Sequence, residues 1–390
     1  MFRKVFSFLV LVLLFPGLIW CVTFEINEIE ESCKSTYNFY SFNHLSSEAA
    51  GRGYTGIAAA GNLSMALLNP AAVELNESWQ LYTEVNDKPE VNFSLSDHDF
   101  GIENYRTGSL YGIGLKRNQF QIGLLYYVRN SYDLQTCQEC YYNGALVDSL
   151  QYHLRYMNTV TSIPITFSYK NLLKLGVNLQ MEKHESGEPI AMVGQGGINE
   201  VITGRVYEKV YRYQVGLVAE PISGLAVGAT FRPQATRRVE KNFGDFYGTA
   251  RFRDSTFPLS IGAGIRYDAS FLPVSVFFDY NYSRDSVYDE LVDRNDYNAG
   301  LEFNYHQLVF LRAGFFTQKD YRDFDYTISH EGQEYNYWSN ETSLEQNFLT
   351  FGAGYRFHQL KLDLSVIDSS LLEAGDIKLT QVNLGVGLDL

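Results

Sequence analysis

Six charged residues share one setting, because each lies on the polar side of a run in which every second residue is apolar. They are Arg212, Arg232, Arg266, Glu302, Arg312 and Arg356. A guanidinium group can hold a carboxylate through two parallel hydrogen bonds, so the arginines could bind a ligand carboxylate or set a charge preference. The alternative is a ladder of ion pairs that anchors an internal segment to a surrounding wall. The pattern favours this structural interpretation.

Enzymatic and metal chemistry find little support. Most of the seven histidines fall in predicted turns or loops, and no Gly-x-Ser-x-Gly sequence occurs. Cys137 and Cys140 would need two further ligands to hold zinc, and only His153 is near them in sequence. A disulfide between the two cysteines, or two free thiols, is the better interpretation. We therefore expect no catalytic residue, no metal site and no cofactor.

The charged positions belong to strands, because alternation with period two is the strand pattern. The last run shows it well, with Val382, Leu384 and Val386 separated by Asn383 and Gly385. About 14 such strands are predicted. Their ranges are 78–86, 104–117, 119–131, 154–170, 173–184, 206–220, 224–237, 250–267, 272–284, 294–305, 308–317, 346–357, 360–368 and 379–390.

A membrane barrel explains these strands better than a soluble sandwich does. Aromatic residues make up 15% of the chain and charged residues only 19%, and many Tyr and Phe fall near strand ends, where a lipid–water interface suits them. The second strand face is rich in Gly and small polar residues, as a crowded lumen allows. We predict an all-β fold, a transmembrane antiparallel β-barrel, and contact with outer-membrane lipid.

The connections between these strands alternate in length. Short turns at 118, 171–172, 221–223, 269–271, 306–307 and 358–359 separate long polar connections. Bacterial barrels have short periplasmic turns and longer outer loops, so an even strand count predicts that both ends face the periplasm. Pro258 and Pro273 fall inside predicted strands, and each could mark a wall opening or simply a strand start.

Export is predicted from the N-terminus. Arg3 and Lys4 precede an apolar stretch up to Ile19, which is typical of a secretory signal, residues 1–21. A lipid anchor on Cys21 and a retained membrane anchor are the alternatives, although Trp20 is bulky for a lipid-anchor sequence. The expected location is the bacterial outer membrane. A net charge of -14 argues against a nucleic-acid partner.

Residues 22–77 do not alternate and precede the barrel, residues 78–390. Glycines punctuate this segment, small residues follow, and Asn69-Pro70 ends any helix. Small residues would pack inside a barrel that is otherwise too wide to be filled by its own side chains. We therefore predict an N-terminal hatch inside the barrel.

The stretch from Gly51 to Val73 resembles the N-terminal hatch of the FadL superfamily of outer-membrane transport proteins. Gly53 belongs to the glycine-rich start, and Asn69-Pro70-Ala71 matches the end of the hatch helix. The runs Gly300–Tyr305 and Phe351–Phe357 resemble the branch that contains the PorV and PorQ secretion-associated barrels. This resemblance implies a 14-stranded barrel with Gly53, Asn69, Pro70 and Ala71 at the gate.

Two functions follow from the resemblance, and neither is enzymatic. The first is passive transport of hydrophobic or amphipathic small molecules, such as long-chain fatty acids. The second is a scaffold or shuttle of a protein secretion system, whose partner would be another protein of that system. The acidic, tyrosine-rich connection Asp320–Tyr326 departs from the hydrophobic outer loop that the superfamily often carries.

Overall fold

The computed structural model describes residues 45–87, 91–95, 98–102, 108–142, 145–170, 172–194, 197–242, 249–287, 290–318, 326–330, 333–338, 346–372 and 380–390. All of them belong to one compact unit, Lys34–Leu390. The predicted signal, residues 1–21, and the first part of the predicted hatch, residues 22–44, lie outside the described residues. No helix in the described ranges is long and apolar enough to cross a membrane.

Strands account for most of the described chain. Numbered in order, they are β1 (Trp79–Asp87), β2 (Val91–Leu95), β3 (His98–Ile102), β4 (Gly108–Arg117), β5 (Phe120–Tyr142), β6 (Ala145–Tyr169), β7 (Leu173–Gly194), β8 (Gly197–Ile222), β9 (Leu225–Arg232), β10 (Ala235–Asn242), β11 (Thr249–Phe257), β12 (Leu259–Asp268), β13 (Val274–Val287), β14 (Glu290–Tyr305), β15 (Val309–Gln318), β16 (Tyr326–His330), β17 (Gln333–Trp338), β18 (Gln346–Phe357), β19 (Leu360–Asp368) and β20 (Thr380–Asp389).

Fourteen of these strands form a closed antiparallel barrel. They are β1, β4 to β9, β12 to β15 and β18 to β20, and the barrel closes because β1 pairs with both β20 and β4. The predicted all-β class and strand number are confirmed. The remaining strands form three separate hairpins within the long connections, namely β2–β3, β10–β11 and β16–β17.

Several strand boundaries differ from the prediction. The pairing of β5 with β6 and of β7 with β8 runs on to Tyr142↔Ala145 and Gly194↔Gly197, through residues predicted to be loops. Polar residues can pair in this way because the ladder uses backbone groups alone. The predicted strands 224–237 and 250–267 are interrupted at Pro233 and Pro258, since proline has no N–H to donate to a ladder.

Six short turns, which follow β4, β6, β8, β12, β14 and β18, lie at one end of the barrel, here called the short-turn end. Asn118 and His358 adopt positive φ there, at 55° and 52°, and Gly224 does so at 82°. The two ends of the barrel chain meet at the same place, where the Trp79 backbone N–H donates to the Leu390 carbonyl at 2.9 Å. The predicted short turns are confirmed at this end. The predicted long connections 132–153, 185–205 and 285–293 are mostly strand instead, paired up to Tyr142↔Ala145, Gly194↔Gly197 and Val287↔Glu290. The end opposite the short turns is called the long-connection end.

The outer surface is apolar between two groups of aromatic side chains. Leu301, Leu311 and Leu364 are exposed near the middle of the wall. Exposed aromatics follow at the short-turn end (Trp79, Tyr169, Tyr267, Tyr305, Tyr355, Phe357) and toward the long-connection end (Tyr126, Tyr211, Tyr213, Tyr297). An apolar band flanked by two aromatic girdles has the form of a lipid-facing barrel surface.

The inside of the barrel holds residues 45–77, here called the inner segment. It contains a short helix, α1 (Ser47–Ala50), and two 3-10 turns, Leu63–Leu67 and Pro70–Ala72. Inward-facing glycines let its backbone touch the wall: a Cβ on Gly314 would overlap backbone atoms of Arg52 and Gly53, and one on Gly176 would overlap Pro70 and Ala71. The wall therefore fits this segment because these positions lack side chains.

We predict that Gly314→Ala loosens the inner segment. The new methyl group would overlap backbone that cannot rotate away, and overpacking of this kind costs about 1–3 kcal/mol. Urea unfolding of the purified protein in detergent should show a lower midpoint, and protease should cut within residues 45–77 more readily. Gly387→Ala is the control, since the nearest atoms would lie at an ordinary 3.5 Å from its Cβ. Equal behaviour of the two variants would contradict the close fit.

Candidate functional site in the barrel lumen

Two wall carboxylates hold the first half of the inner segment by its backbone. The Glu84 side chain on β1 accepts hydrogen bonds from the N–H groups of Ser46 and Ser47, both at 2.9 Å. Asp279 on β13 accepts from the N–H groups of Gly56 and Ile57 at 2.6 and 2.9 Å. Both carboxylates are buried. Glu84 satisfies N–H groups at the start of the short helix, which the helix cannot satisfy itself, and Asp279 does the same for two N–H groups of the irregular backbone after it.

A chain of buried ion pairs continues across the lumen. The Arg52 guanidinium lies 3.3 Å from Glu48 and 3.3 Å from Glu302. Arg312 contacts the same Glu302 at 2.7 Å and Asp363 at 2.6 Å. Arg52 also lies over the Phe277 ring, 4.8 Å from its centroid. Two of the predicted lumen residues, Glu302 and Arg312, thus meet each other and the inner segment.

The predicted gate residues lie in the inner segment against the wall. The Gly53 N–H donates to the Thr350 hydroxyl at 2.8 Å, and its φ of 71° suits a residue without Cβ. Asn69 accepts from the Ala71 N–H at 2.9 Å and donates to the carbonyl of Ile57 at 2.6 Å. Ala71 itself is fully buried.

Pro70 is tied to the opposite side of the barrel. Its carbonyl accepts from the Thr166 hydroxyl on β6 at 2.7 Å. Asn69 reaches the carbonyl of Leu217 on β8 at 3.2 Å. The end of the predicted hatch motif therefore spans from β6 to β8, and the role of these residues as a gate stays a prediction.

The other four predicted lumen arginines do not form one ladder. Arg212 lies 3.0 Å from Glu182, and Arg266 lies 3.3 Å from Asp268 near the short-turn end. Arg232 donates to the Gln214 side chain at 2.9 Å. Arg356 lies 5.3 Å from the centroid of the Phe310 ring. The predicted role as an ion-pair anchor of the inner segment therefore applies to Glu302 and Arg312, whereas Arg232 donates to the uncharged side chain of Gln214.

Glu74 ties the end of the inner segment to β7. Its carboxylate lies 2.6 Å from the Lys174 ammonium group. Partial burial raises the pKa of Glu74, but Lys174, together with the charges of Lys116 and Arg266, outweighs that effect and lowers the pKa below its usual value. Because the pKa is depressed in the folded state, this contact stabilises the protein above the unfolded pKa and is lost as the pH falls through the folded one.

An apolar cluster lies between the inner segment and strands β1, β4, β5 and β6. Its members come from both the inner segment and the wall: Leu45, Leu63, Ala66, Val73, Leu75, Tyr82, Leu110, Leu125, Tyr127 and Val160. Leu63 is fully buried at its centre. The inner segment thus meets the wall through this apolar cluster and through the ion pairs along β14, β15 and β19.

The wall pairing is interrupted beside this apolar cluster. Strands β5 and β6 pair at Ile122↔Ile165 and again at Leu125↔Ser162, but the two positions between, Gly123 and Leu124, are unpaired with β6. Pro164 lies opposite Gly123 and has no N–H to donate. The Leu63 side chain packs against Gly123 from the inside, where an added Cβ would have no room.

Several residues of this site were missed by sequence reasoning. Glu84, Glu182 and Asp363 are inward residues of alternating strands, so the signal that identified Glu302 applied to them equally. Arg52 lies within the predicted hatch motif itself. Asp279 carried the same signal within the predicted strand 272–284, but its partners Gly56 and Ile57 lie more than two hundred positions away in sequence, and only the folded barrel brings them together.

The predicted disulfide is not tested. The backbone of Cys137 and Cys140 lies in β5, opposite Gln151 and Asp148, while both side chains lie outside the described part of the chain. Within the described residues, no group of three or more His, Cys, Asp or Glu side chains is arranged to hold a metal ion.

Comparison with known proteins gives a structural likeness only. No protein-family profile matches the chain, and no curated protein sequence matches it. A Pseudomonas aeruginosa FadL homologue matches with a TM-score of 0.58 at 12% identity, over 88% of this chain and 98% of that protein. The Pseudomonas putida toluene transporter TodX gives 0.55 at 12% identity, over 88% and 97%. The Ralstonia pickettii toluene transporter TbuX gives 0.55 at 12% identity, over 87% and 96%. The chain therefore has a FadL-like barrel fold.

Proposed function

We propose that the protein is an outer-membrane channel for passive transport of hydrophobic or amphipathic small molecules, with the inner segment as its gate. The short-turn end would face the periplasm, and residues 1–21 would direct export. The exposed apolar band between two aromatic girdles supports the membrane location. Long-chain fatty acids are one substrate class that the superfamily resemblance suggests.

The observation that carries the proposal is the interrupted pairing between β5 and β6 beside the apolar lumen. A hydrophobic molecule in the lumen would be next to apolar side chains on the inside and lipid on the outside. Leu63 covers the interruption from within. Movement of Leu63 away from Gly123 would join the two apolar regions without passage through a polar pore.

The prolines considered from the sequence do not play this part. Pro258 lies between β11 and β12, and Pro273 directly precedes β13, so both stand outside the strands. Pro164 lies within β6 and faces the lumen as a buried residue. Two of the structurally similar proteins are toluene transporters, which is consistent with apolar cargo in barrels of this shape.

The alternative is a scaffold or shuttle of a protein secretion system, as the PorV-like and PorQ-like sequence segments suggest. Paired strands β5 to β8 continue past the aromatic girdle as far as Tyr142↔Ala145 and Gly194↔Gly197, which would offer a projecting surface to a protein partner. Purification of the intact protein from native membranes separates the two ideas. A stoichiometric protein partner would support the scaffold, and a lone barrel would support the channel.

The membrane location predicts that arginine is tolerated according to depth. Leu364→Arg would place a charge in the middle of the lipid band and should cost about 2–4 kcal/mol, while Phe357→Arg near the short-turn end should cost about 0–1 kcal/mol. Both side chains face outward, 44% and 52% exposed. Denaturant titration of folding into lipid vesicles measures the difference. Equal costs would contradict the proposed lipid band.

The channel proposal predicts that closing the wall slows transport. Pro164→Val supplies the missing N–H, allows Gly123 and Leu124 to pair with β6, and should lower uptake of labelled toluene several-fold. The assay uses Gram-negative cells that lack their own hydrophobic-compound channels. Pro258→Val is the matched control, because Pro258 lies outside the strands. If the Pro164→Val variant took up toluene as fast as the wild type at equal surface abundance, the proposed route through the wall between β5 and β6 would be wrong.

A further inference from the structure

One row of inward-facing residues crosses the wall from the seam where β1 meets β20 to the interrupted pairing between β5 and β6. In this row, Asp389 on β20 pairs with Gln80 on β1, and Gln80 pairs with Gly114 on β4. Gly114 pairs with Gly123 on β5, which lies opposite Pro164 on β6. Directly paired residues point to the same side of a sheet, so the whole row faces the inner segment.

The two glycines of this row form a hollow in the wall, and Leu63 of the inner segment fills it. A Cβ on Gly123 would lie 2.5 Å from Leu63 Cδ1, and a Cβ on Gly114 would lie 3.6 Å from the same atom. Leu63 is fully buried there. Apolar contact of this kind has no preferred direction, so the backbone of Leu63 has to be positioned by other groups.

Gln80 positions the backbone of Leu63. Leu63 is the first residue of the 3-10 turn Leu63–Leu67, so its N–H group has no acceptor within that turn. The side-chain oxygen of Gln80 accepts a hydrogen bond from this N–H group at 2.9 Å, and Gln80 is fully buried. Loss of the Gln80 amide would therefore leave a buried N–H group without its partner, which disfavours this position of Leu63.

Asp389 fixes the orientation of the Gln80 amide. The Nε2 group of Gln80 donates to Asp389 Oδ1 at 2.7 Å. An ionised carboxylate can only accept and a backbone N–H can only donate, so the Gln80 oxygen must face Leu63. Asp389 Oδ2 is held in turn by Lys361 Nζ at 2.8 Å and by Asn76 Nδ2 at 3.2 Å. The first and last strands of the barrel thus act together on Leu63.

We propose that Gln80 is a positioning residue of the gate and that Asp389 holds it in the required orientation. With both in place, Leu63 stays in the glycine hollow and covers the gap between β5 and β6. Without Gln80, Leu63 leaves the hollow more often, and apolar cargo crosses the wall faster. The inference rests on the proposed transport function, since it names the residues that regulate its gate. It also couples the gate to barrel closure, because Gln80 meets Asp389 through the pairing of β1 with β20.

Amide hydrogen exchange measures the position of Leu63 in the absence of cargo. The full-length protein is placed in lipid nanodiscs and labelled at leucine, so that NMR reports Leu63 and Leu75 in one sample. Gln80→Met keeps the length of the side chain but removes both hydrogen bonds, so exchange at Leu63 should become about fivefold faster or more. Asp389→Leu should also speed it, whereas Asp389→Asn, which keeps an acceptor for Gln80, should retain most of the protection.

Gln121→Met is the matched control, because Gln121 is another buried glutamine that binds the backbone of the inner segment. Its side-chain oxygen accepts from the Leu75 N–H group at 2.6 Å, and its nitrogen donates to the Val73 carbonyl at 3.3 Å. This substitution should speed exchange at Leu75 and leave exchange at Leu63 as in the wild type. General loosening of the inner segment would instead speed exchange at both leucines in either variant.

Toluene uptake shows whether the position of Leu63 controls transport. In the cells used for Pro164→Val, Gln80→Met should raise uptake several-fold. Leu63→Ala removes most of the side chain that fills the hollow, so it should raise uptake by itself. Gln80→Met added to Leu63→Ala should raise uptake no further, because residues that act through one another are not additive.

The inference would be overturned if exchange at Leu63 were unchanged in Gln80→Met and Asp389→Leu barrels that heat-dependent gel migration shows to be folded. Faster exchange at Leu63 without faster uptake would also overturn it, as would an undiminished effect of Gln80→Met in the Leu63→Ala background. None of these results changes the expected loss of uptake in Pro164→Val. Failure of the positioning role is therefore distinguishable from failure of the channel itself.

Discussion

The inner segment depends on one constraint: a backbone with little regular structure must find hydrogen-bond partners inside a closed barrel. Unpaired buried backbone groups cost about as much as a lost hydrogen bond, so the wall has to provide donors and acceptors. Glu84 and Asp279 accept from four N–H groups, and Thr166 and Gln214 donate to two carbonyls. The polar inward face of the strands is therefore explained first by the segment that it holds.

Glycine makes this arrangement sterically feasible. Side chains on Gly300 or Gly314 would overlap the backbone of Arg52 and Gly53. The inner segment can therefore approach the wall closely only where the wall residues are glycines. The ion pairs of Arg52 and Arg312 lie along β14, β15 and β19, whereas the apolar cluster lies along β1, β4, β5 and β6. Anchoring and apolar contact meet on β1, which carries both Glu84 and the Tyr82 of the apolar cluster.

These contacts give the proposed transport function a physical basis. The ion pairs fix the segment, and the apolar cluster meets a wall whose pairing is interrupted at Pro164.

Strand number, strand faces and turn positions could be read from the sequence, because alternation and tight turns are local: each residue takes its face from its neighbours in the chain. The same rule placed Arg212, Arg232 and Arg312 inward. The partners of these residues could not be read in this way. Arg52 meets Glu302 across 250 positions, and it is the strand register that places Gly123 opposite Pro164, where the ladder is interrupted. Pairings across a barrel depend on register and closure, which only the tertiary structure decides.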